Sequence, residues 1–226
     1  MKALVLAAGR GERLRPLTDH TPKPLLRVRD KPLLVWQLEA LARAGVSEVV
    51  INLAHLGGQI EAALGTGRTL GLRLQYSHEP PGALEAAGGI RLALPLMGDA
   101  PFILANADVW TDFDFGTLPR EPRGLAHLVL VPNPDHHPAG DFCLENDSVA
   151  LAGASRLTYA GLAVYRPALF AGIEPGTRAP LAPLLREAIV RGAVSGTLFE
   201  GRWMDVGTLA RLELANQLAV ETPTKI

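Results

Sequence analysis

The chain has 226 residues, an almost balanced charge of 22 basic and 23 acidic side chains, and one cysteine. The sequence has no basic block, which argues against nucleic acid or an anionic membrane as a partner. A lone cysteine excludes an internal disulfide and a CxxC metal site, and no 18-residue apolar run is present, so we expect a cytoplasmic protein.

The first half of the chain alternates apolar, strand-like runs with segments of helical spacing. Strands are predicted at residues 1–6, 48–53, 72–77 and 101–106, and helices at 32–44, 58–64 and 84–94. The first strand is apolar on both faces, as in a parallel sheet. This alternation predicts an α/β fold with a doubly wound, mostly parallel, Rossmann-like sheet.

From about residue 124 the regular alternation of strands and helices ends, and most predicted elements are strands. Strands are predicted at residues 125–131, 141–145, 157–165 and 193–200, and helices at 181–190 and 208–219. No repeat or low-complexity linker separates the two halves. We therefore expect a single domain over residues 1–226, in which the second half adds a small β-rich lobe.

The loop after the first predicted strand is rich in glycine, proline and basic residues. It reads LAAGRGERLRPLTDHTPKP over residues 6–24. Gly9 and Gly11 would let the backbone approach a phosphate chain, whose charge Arg13 and Lys23 would neutralise. Leu14 stands where a dinucleotide-binding fingerprint needs its third glycine, and no Walker A motif follows. From the residues alone, a phosphate-binding loop and an ordinary connection both stay open.

This loop resembles the signature of the sugar-1-phosphate nucleotidyltransferase family, LAAGxGxRLxPLT…PKPLxxV, over residues 6–28. In that family the loop holds a nucleoside triphosphate, and the signature arginine and the PKP lysine contact its phosphates. The resemblance therefore implies that Arg13 and Lys23 are catalytic. It implies these nucleotide-binding residues within the loop: Leu6, Ala8, Gly9, Gly11, Arg13 and Lys23. It also assigns the nucleotide to about residues 1–123 and the sugar side to about 124–226.

Two aspartates resemble the Mg²⁺ ligands of the family. Asp108 lies in LANADVWTD, which is similar to the family's (N/G)xD element, and Asp205 lies in RWMDVGT, which is similar to its W-x-D-x-G-T motif. An aspartate after a strand is also common as a cap or turn residue. The resemblance implies that both carboxylates hold Mg²⁺, which needs only one or two carboxylates beside phosphate oxygens and water.

The segment PPGALEAAGGIRLAL, residues 80–94, resembles the family's base-and-sugar loop. The resemblance implies that Glu85 and Gly88 contact the nucleotide, with backbone amides reading the base. Ala86 and Ala87 replace a threonine and a glycine that are usual there. For Glu85, a capped helix start is the structural alternative.

On the sugar side, the resemblance implies contacts from Asn106 of the (N/G)xD element, Asp141 of the GDF element and Gly161 of the strand TYAGLAVYRP. His136 and His137 lie in a Pro-rich turn with no third metal ligand at a suitable spacing. We interpret both histidines as solvent-exposed loop residues.

The family reaction joins a nucleoside triphosphate and a sugar 1-phosphate to give a nucleotide sugar and pyrophosphate. The whole chain is most similar to the short uridylyltransferases of bacterial cell-wall recycling, which implies UTP and N-acetylmuramate 1-phosphate as substrates. Arg27, Arg156 and Arg202 are candidate partners of the muramate carboxylate. Two alternatives stay open: a guanylyl- or uridylyltransferase for mannose, glucose or heptose 1-phosphate, and a non-catalytic nucleotide-sensing subunit on the same fold.

Overall fold

The computed structural model describes residues 1–219, so residues 220–226 of the expected domain lie outside the described part of the chain. All five predicted helices are confirmed, with ends shifted by at most three residues. Their bounds are α1 Leu33–Arg43, α2 Gly57–Leu64, α3 Glu85–Met97, α4 Leu181–Val190 and α5 Leu209–Leu218. None of these helices is both long enough and apolar enough to cross a membrane.

The eight predicted strands are also confirmed, and the structure adds five short strands that the sequence did not indicate. The predicted ones are β1 Ala3–Leu6, β4 Glu48–Leu53, β5 Arg73–His78, β6 Phe102–Asn106, β8 Ala126–Val131, β9 Phe142–Glu145, β11 Arg156–Tyr165 and β12 Val194–Leu198. The additional ones are β2 Arg27–Val28, β3 Lys31–Pro32, β7 Val109–Thr111, β10 Ser148–Ala150 and β13 Trp203–Asp205.

The central sheet is mixed, which corrects the prediction of a mostly parallel sheet to which the second half adds a small β-rich lobe. Its strand order is β5-β4-β1-β6-β11-β8-β12-β10-β9. The first four strands are parallel, but β11 runs antiparallel to both of its neighbours, β6 and β8. The second half of the chain thus extends the sheet of the first half. Pairing β11 with β6 satisfies a strand edge that would otherwise be left exposed.

Helices pack on both faces of this sheet because side chains alternate along each buried strand. Val5 of β1 belongs to the apolar cluster that contains Leu38 of α1. Its neighbour Leu4 belongs to the opposite cluster, which contains Ile90 of α3 and Leu185 of α4. Covering both faces leaves the carboxyl ends of β1, β4 and β6 as the open edge at which a ligand can bind.

A two-stranded ribbon of β7 and β13 stands beside this open edge. The strands run antiparallel, with Asp205 opposite Val109 and Trp203 opposite Thr111. Trp110 of the ribbon is buried and meets Trp36 of α1 edge-to-face, with 6.5 Å between ring centroids. This apolar contact ties the ribbon to the body of the protein.

Candidate active site

The glycine-rich loop is held in its conformation by Gly11 and Thr18. Gly11 has φ +70°, and a Cβ on it would lie 2.9 Å from Thr18 Cγ2 and 3.2 Å from Lys23 Cβ. The Thr18 hydroxyl donates to the Gly11 carbonyl at 2.9 Å. A side chain at this position is therefore excluded by both strain and space. A Cβ at Gly9 would meet no atom within 4 Å, so this part of the loop is open.

A cavity of about 250 Å³ lies between this loop, the ends of β4 and β6, and the start of α3. It brings together most of the predicted nucleotide-binding residues with Asn106 and Asp108. The lining residues are Leu6, Ala7, Ala8, Gly9, Gly11, Lys23, Pro24, Asn52, Glu79, Ala83, Glu85, Ala86, Asn106, Ala107 and Asp108. We call it the first cavity.

Asn52 and Glu79 line the first cavity although the sequence analysis did not select them. Asn52 Oδ1 accepts from the Ala7 N–H at 2.7 Å, and Asn52 Nδ2 donates to Glu79 Oε1 at 2.6 Å. Glu79 Oε2 accepts from the Leu84 N–H at 3.0 Å. A Cβ on Gly89 would lie 2.5 Å from Glu79 Oε1, so the glycine makes room for this pair. The available signal was a polar residue at or just after the carboxyl end of a predicted strand, Asn52 for β4 and Glu79 for β5.

Burial raises the pKa of the Glu79 carboxyl, and this effect outweighs the hydrogen bonds from the Leu84 N–H and the Asn52 side chain, which lower it. A carboxyl at the wall of a cavity with a raised pKa is a functional-site candidate.

The structure brings Glu85 to the first cavity but not Gly88. Glu85 has φ 59° and pairs with Arg178 Nη2 at 2.6 Å. The Gly88 N–H donates to the Ala179 carbonyl at 3.1 Å, and a Cβ on Gly88 would collide with the Thr177 carbonyl. The Gly88 amide is therefore engaged by the 177–179 loop in this structure, and its contact with a nucleotide stays a prediction.

A second cavity, of about 380 Å³, adjoins the first and shares Asn106 and Asp108 with it. Arg13, Gly161 and Asp205 line it. His136 and His137, which were not predicted as site residues, line it as well. The complete lining is Arg13, Asn106, Asp108, Val109, His136, His137, Thr158, Tyr159, Ala160, Gly161, Trp203 and Asp205. None of Arg27, Arg156 and Arg202 is among these residues.

Gly161 shapes the second cavity from an irregular point of β11, where the register with β8 shifts between Tyr159 and Ala163. Its φ is +71°, and a Cβ there would collide with the Asn106 side chain. The glycine therefore leaves room for the Asn106 amide where the two cavities meet. The predicted sugar-side residues Asn106 and Gly161 are thus neighbours.

Asp108 and Asp205 meet across the β7–β13 ribbon although they are 97 positions apart in the sequence. Asp108 immediately precedes β7, and Asp205 ends β13 opposite Val109. The Val206 N–H donates to the Asp108 carbonyl at 2.8 Å, which closes the ribbon between them. Both side chains line the second cavity.

Each of these two carboxylates has a cationic partner from the protein. Lys23 Nζ lies 2.5 Å from Asp108 Oδ2. Arg211 Nη1 lies 3.0 Å from both Asp205 oxygens, and His136 Nε2 lies 2.9 Å from Asp205 Oδ1. The site therefore places two carboxylates and several cations beside one cavity, which is the environment that phosphate groups and a divalent cation require.

His136 and His137 lie in a loop, as predicted, with His136 exposed and His137 partly exposed, but both also form part of the wall of the second cavity. His137 Nε2 lies 3.1 Å from Asp141 Oδ1, and Asp141 Oδ2 accepts from the Tyr159 N–H at 2.8 Å. Asp141 itself lines neither cavity. Its carboxylate instead binds His137 and the Tyr159 N–H. Asp141 therefore supports two residues of the second cavity's wall and does not line that cavity itself.

Comparison with known proteins relates this arrangement to a family of enzymes. Residues 2–142 match the sequence profile described as "Nucleotidyl transferase". An N-acetylmuramate alpha-1-phosphate uridylyltransferase of Neisseria meningitidis is 52% identical over 97% of this chain and 98% of its own length. The enzyme of the same name from Caulobacter vibrioides is 34% identical over 91% of each chain.

Less similar proteins with other substrate names also match this chain. The mannose-1-phosphate guanylyltransferase catalytic subunit beta of Danio rerio is 31% identical over 92% of this chain, which spans 61% of that longer protein. A Bacillus anthracis structure, described as a candidate glucose-1-phosphate thymidylyltransferase, superimposes with a TM-score of 0.88 over 100% of this chain and 98% of that chain. It shares 22% sequence identity and therefore shows the fold alone. The profile match and the two bacterial relatives show that this chain belongs to the nucleotidyl transferase family and is an enzyme.

Proposed function

We propose that the protein transfers a uridylyl group from UTP to N-acetylmuramate 1-phosphate and releases pyrophosphate. The observation that carries this proposal is the pair of adjoining cavities that share Asn106 and Asp108. Two substrates that react with each other need neighbouring sites with a common boundary. The names and full-length match of the two bacterial relatives support UTP and N-acetylmuramate 1-phosphate over other members of the family.

The first cavity suits the nucleotide. Gly9 and Gly11 expose backbone N–H groups to a phosphate chain, and Lys23 supplies a cation at the same wall. At the far wall, the Glu79 carboxylate is an acceptor, and uracil offers one N–H donor in its ring. Both Glu79 oxygens keep lone pairs after accepting from Asn52 and Leu84, so a contact to the base is available.

The reaction requires no general base, because the attacking phosphate oxygen of the sugar 1-phosphate is already anionic. That oxygen would form a bond to the α-phosphorus of UTP, and the bond from the α-phosphorus to the departing pyrophosphate would break on the opposite side. Lys23 and Arg13 would stabilise the charge that develops on the phosphates. The protein's task is to position the two substrates and to neutralise charge.

The residues present fit Mg²⁺. Asp108 and Asp205 offer hard carboxylate oxygens side by side, while residues 1–219 contain no cluster of three or more acidic, histidine or cysteine side chains that could hold a metal unaided. A site with two carboxylates is completed by phosphate oxygens and water. When bound, Mg²⁺ would neutralise phosphate charge. Lys23 would then exchange its partner from Asp108 to the phosphates.

The second cavity suits the sugar 1-phosphate. Its volume exceeds that of the first cavity, and its wall carries the Arg13 guanidinium together with the ring nitrogens of His136 and His137. N-acetylmuramate differs from N-acetylglucosamine by a lactyl ether, which carries a carboxylate that such a wall can bind. A role in peptidoglycan recycling in the cytoplasm, where nucleoside triphosphates are available, follows from this choice of sugar.

One specific observation supports a second candidate, guanylyl transfer to mannose 1-phosphate, since a relative with that name is 31% identical over 92% of this chain. Pyrophosphate release measured for four nucleoside triphosphates against several sugar 1-phosphates separates the two. We expect the highest kcat/KM for UTP with N-acetylmuramate 1-phosphate. A maximum for GTP with mannose 1-phosphate would overturn the proposal.

A further inference from the structure

Arg211 reaches the proposed metal site from the first turn of α5. Thr208 caps that helix, and its hydroxyl accepts from the Arg211 N–H at 3.3 Å. The Arg211 side chain is only 12% exposed, and its Nη1 lies 3.0 Å from each oxygen of Asp205. This contact holds the Asp205 carboxylate towards the start of α5, because the Arg211 Nη1 lies within reach of both of its oxygens.

The position of Arg211 is unfavourable on local grounds. A cation in the first turn opposes the helix dipole, which favours an acidic residue there, and α5 has none. Arg211 Nε and Nη2 are buried and have no hydrogen-bond partner within residues 1–219. Burying unpaired polar groups destabilises a protein. Residues that break local rules in this way are found mainly at functional sites.

Gly207 provides the space that this guanidinium occupies. A Cβ on Gly207 would collide with Arg211 Nη2 and would lie 2.8 Å from Arg13 Nη2. The glycine of the DVGT segment therefore lets two arginines approach the backbone next to Asp205. Arg13 is exposed and can follow a substrate, whereas Arg211 is largely covered and lies against the carboxylate.

We infer that Arg211 is a positioning residue, which holds the Asp205 carboxylate in the orientation that a divalent cation needs. The inference rests on the proposed function, in which Asp205 is a metal ligand. Hydrogen bonds to a metal-binding carboxylate orient it, and the loss of such a partner weakens metal affinity about 10- to 100-fold.

Two other roles for Arg211 predict different results. As a mere link between β13 and α5, it would contribute to stability but not to metal affinity. As a counter-charge that competes with the metal for Asp205, its removal would tighten metal binding. Only a positioning role predicts weaker metal binding when the cation is lost.

The experiment is calorimetry of UTP binding across a series of Mn²⁺ concentrations, with no sugar phosphate present. The protein is the full chain as wild type, R211M, R211K, D205N and R91M. Arg91 is the matched control, because it is a partly buried helical arginine whose Nε donates to the Ile173 carbonyl at 2.8 Å, and it lines neither cavity. Melting temperatures are recorded for every variant.

We expect R211M to raise the Mn²⁺ concentration for half-maximal UTP binding about 10- to 100-fold. R211K, which keeps the charge but loses the rigid fork, should fall between wild type and R211M, and R91M should match wild type. An unchanged or lower Mn²⁺ midpoint for R211M, with D205N strongly shifted, would overturn the inference alone. If D205N showed the same Mn²⁺ midpoint as wild type, the assignment of Asp205 as a metal ligand would itself be overturned. If R211M does not fold, R211K decides the matter by the same criterion.

Discussion

The two cavities share Asn106 and Asp108 but are built in different ways. The first is formed by backbone and by side chains at the carboxyl ends of parallel strands, where Asn52 is tied to both Ala7 and Glu79. The second is formed by side chains from a loop, an irregular strand and a separate ribbon. A nucleotide presents a constant phosphate chain, whereas sugars differ between members of the family. With the proposed placement of the substrates, the phosphate chain common to the family would meet fixed backbone, and the variable sugar would meet replaceable side chains.

The largest expected effect comes from the boundary between the cavities. Asp108→Asn and Asp205→Asn should each lower kcat by about 10³-fold, because each removes a negative charge that a divalent cation needs at the reacting phosphates. Steady-state kinetics at saturating Mg²⁺ measure this. Circular dichroism checks that the fold is kept. Near wild-type kcat in either variant would contradict the metal assignment and leave the cavities without a shared catalytic centre.

The sequence predicted the first cavity better than the second for a physical reason. The loop from Leu6 to Lys23 is contiguous, so its chemistry is visible in the sequence, and the strands that present it have strong apolar patterns. The second cavity depends on the β7–β13 ribbon, whose three-residue strands carry too little periodicity to be recognised. His136 was dismissed for want of nearby ligands, yet its partner Asp205 is distant in the sequence.

The strand directions of the sheet and the environment of Gly88 also depend on contacts between segments that are distant in the sequence. The spacing of the predicted strands could not reveal a mixed sheet. The relative direction of the strands depends on the insertion of β11 between β6 and β8, antiparallel to both. Gly88 was assigned to the nucleotide because of its place in a motif, and that motif gave no sign of the 177–179 loop, whose Ala179 carbonyl accepts from the Gly88 N–H. Asn52, Glu79 and Arg211 act through contacts between distant segments. The sequence therefore predicted the elements and the contiguous motifs, and the structure supplied the long-range partners.

The next effect tests the first cavity through Lys23. Lys23→Ala should lower kcat/KM for UTP by an amount equivalent to about 2–4 kcal/mol, the range for loss of one preorganised electrostatic donor. The control is Lys31→Ala, because Lys31 makes an ion pair of 2.6 Å with Glu39 but lines neither cavity. Its kinetics should match those of wild type, because the lost ion pair lies outside both cavities and an exposed ion pair contributes little to stability. Equal kcat/KM for the two variants would show that Lys23 serves only as a partner of Asp108.

A smaller effect tests the second cavity through sugar preference. With UTP saturating, kcat/KM should be higher for N-acetylmuramate 1-phosphate than for N-acetylglucosamine 1-phosphate by about 10- to 100-fold. A charge-assisted contact to the lactyl carboxylate, of about 1.5–3 kcal/mol, accounts for that ratio.

His137→Gln should reduce this preference, since the substitution removes a group that can carry positive charge at the cavity wall. The activity with the glucosamine compound serves as the internal control and should change less. Equal kcat/KM for the two sugars in the wild type would remove the cell-wall substrate. It would leave the family reaction intact.

The smallest expected effect concerns stability and tests the partly buried Glu79 in the wall of the first cavity. Because burial raises the pKa of Glu79 above 4.5, the folded protein holds this proton more tightly than the unfolded chain does. The stability that results is fully present below about pH 4.5 and is lost as the pH rises through the raised pKa. Melting temperatures of the wild type and Glu79→Gln, recorded from pH 4 to pH 7, test this. The wild type should lose stability relative to the variant as the pH rises, because glutamine cannot ionise and keeps an acceptor for the Leu84 N–H. A difference that stays constant with pH would show that the carboxyl titrates alike in the folded and unfolded states, and that burial does not raise its pKa.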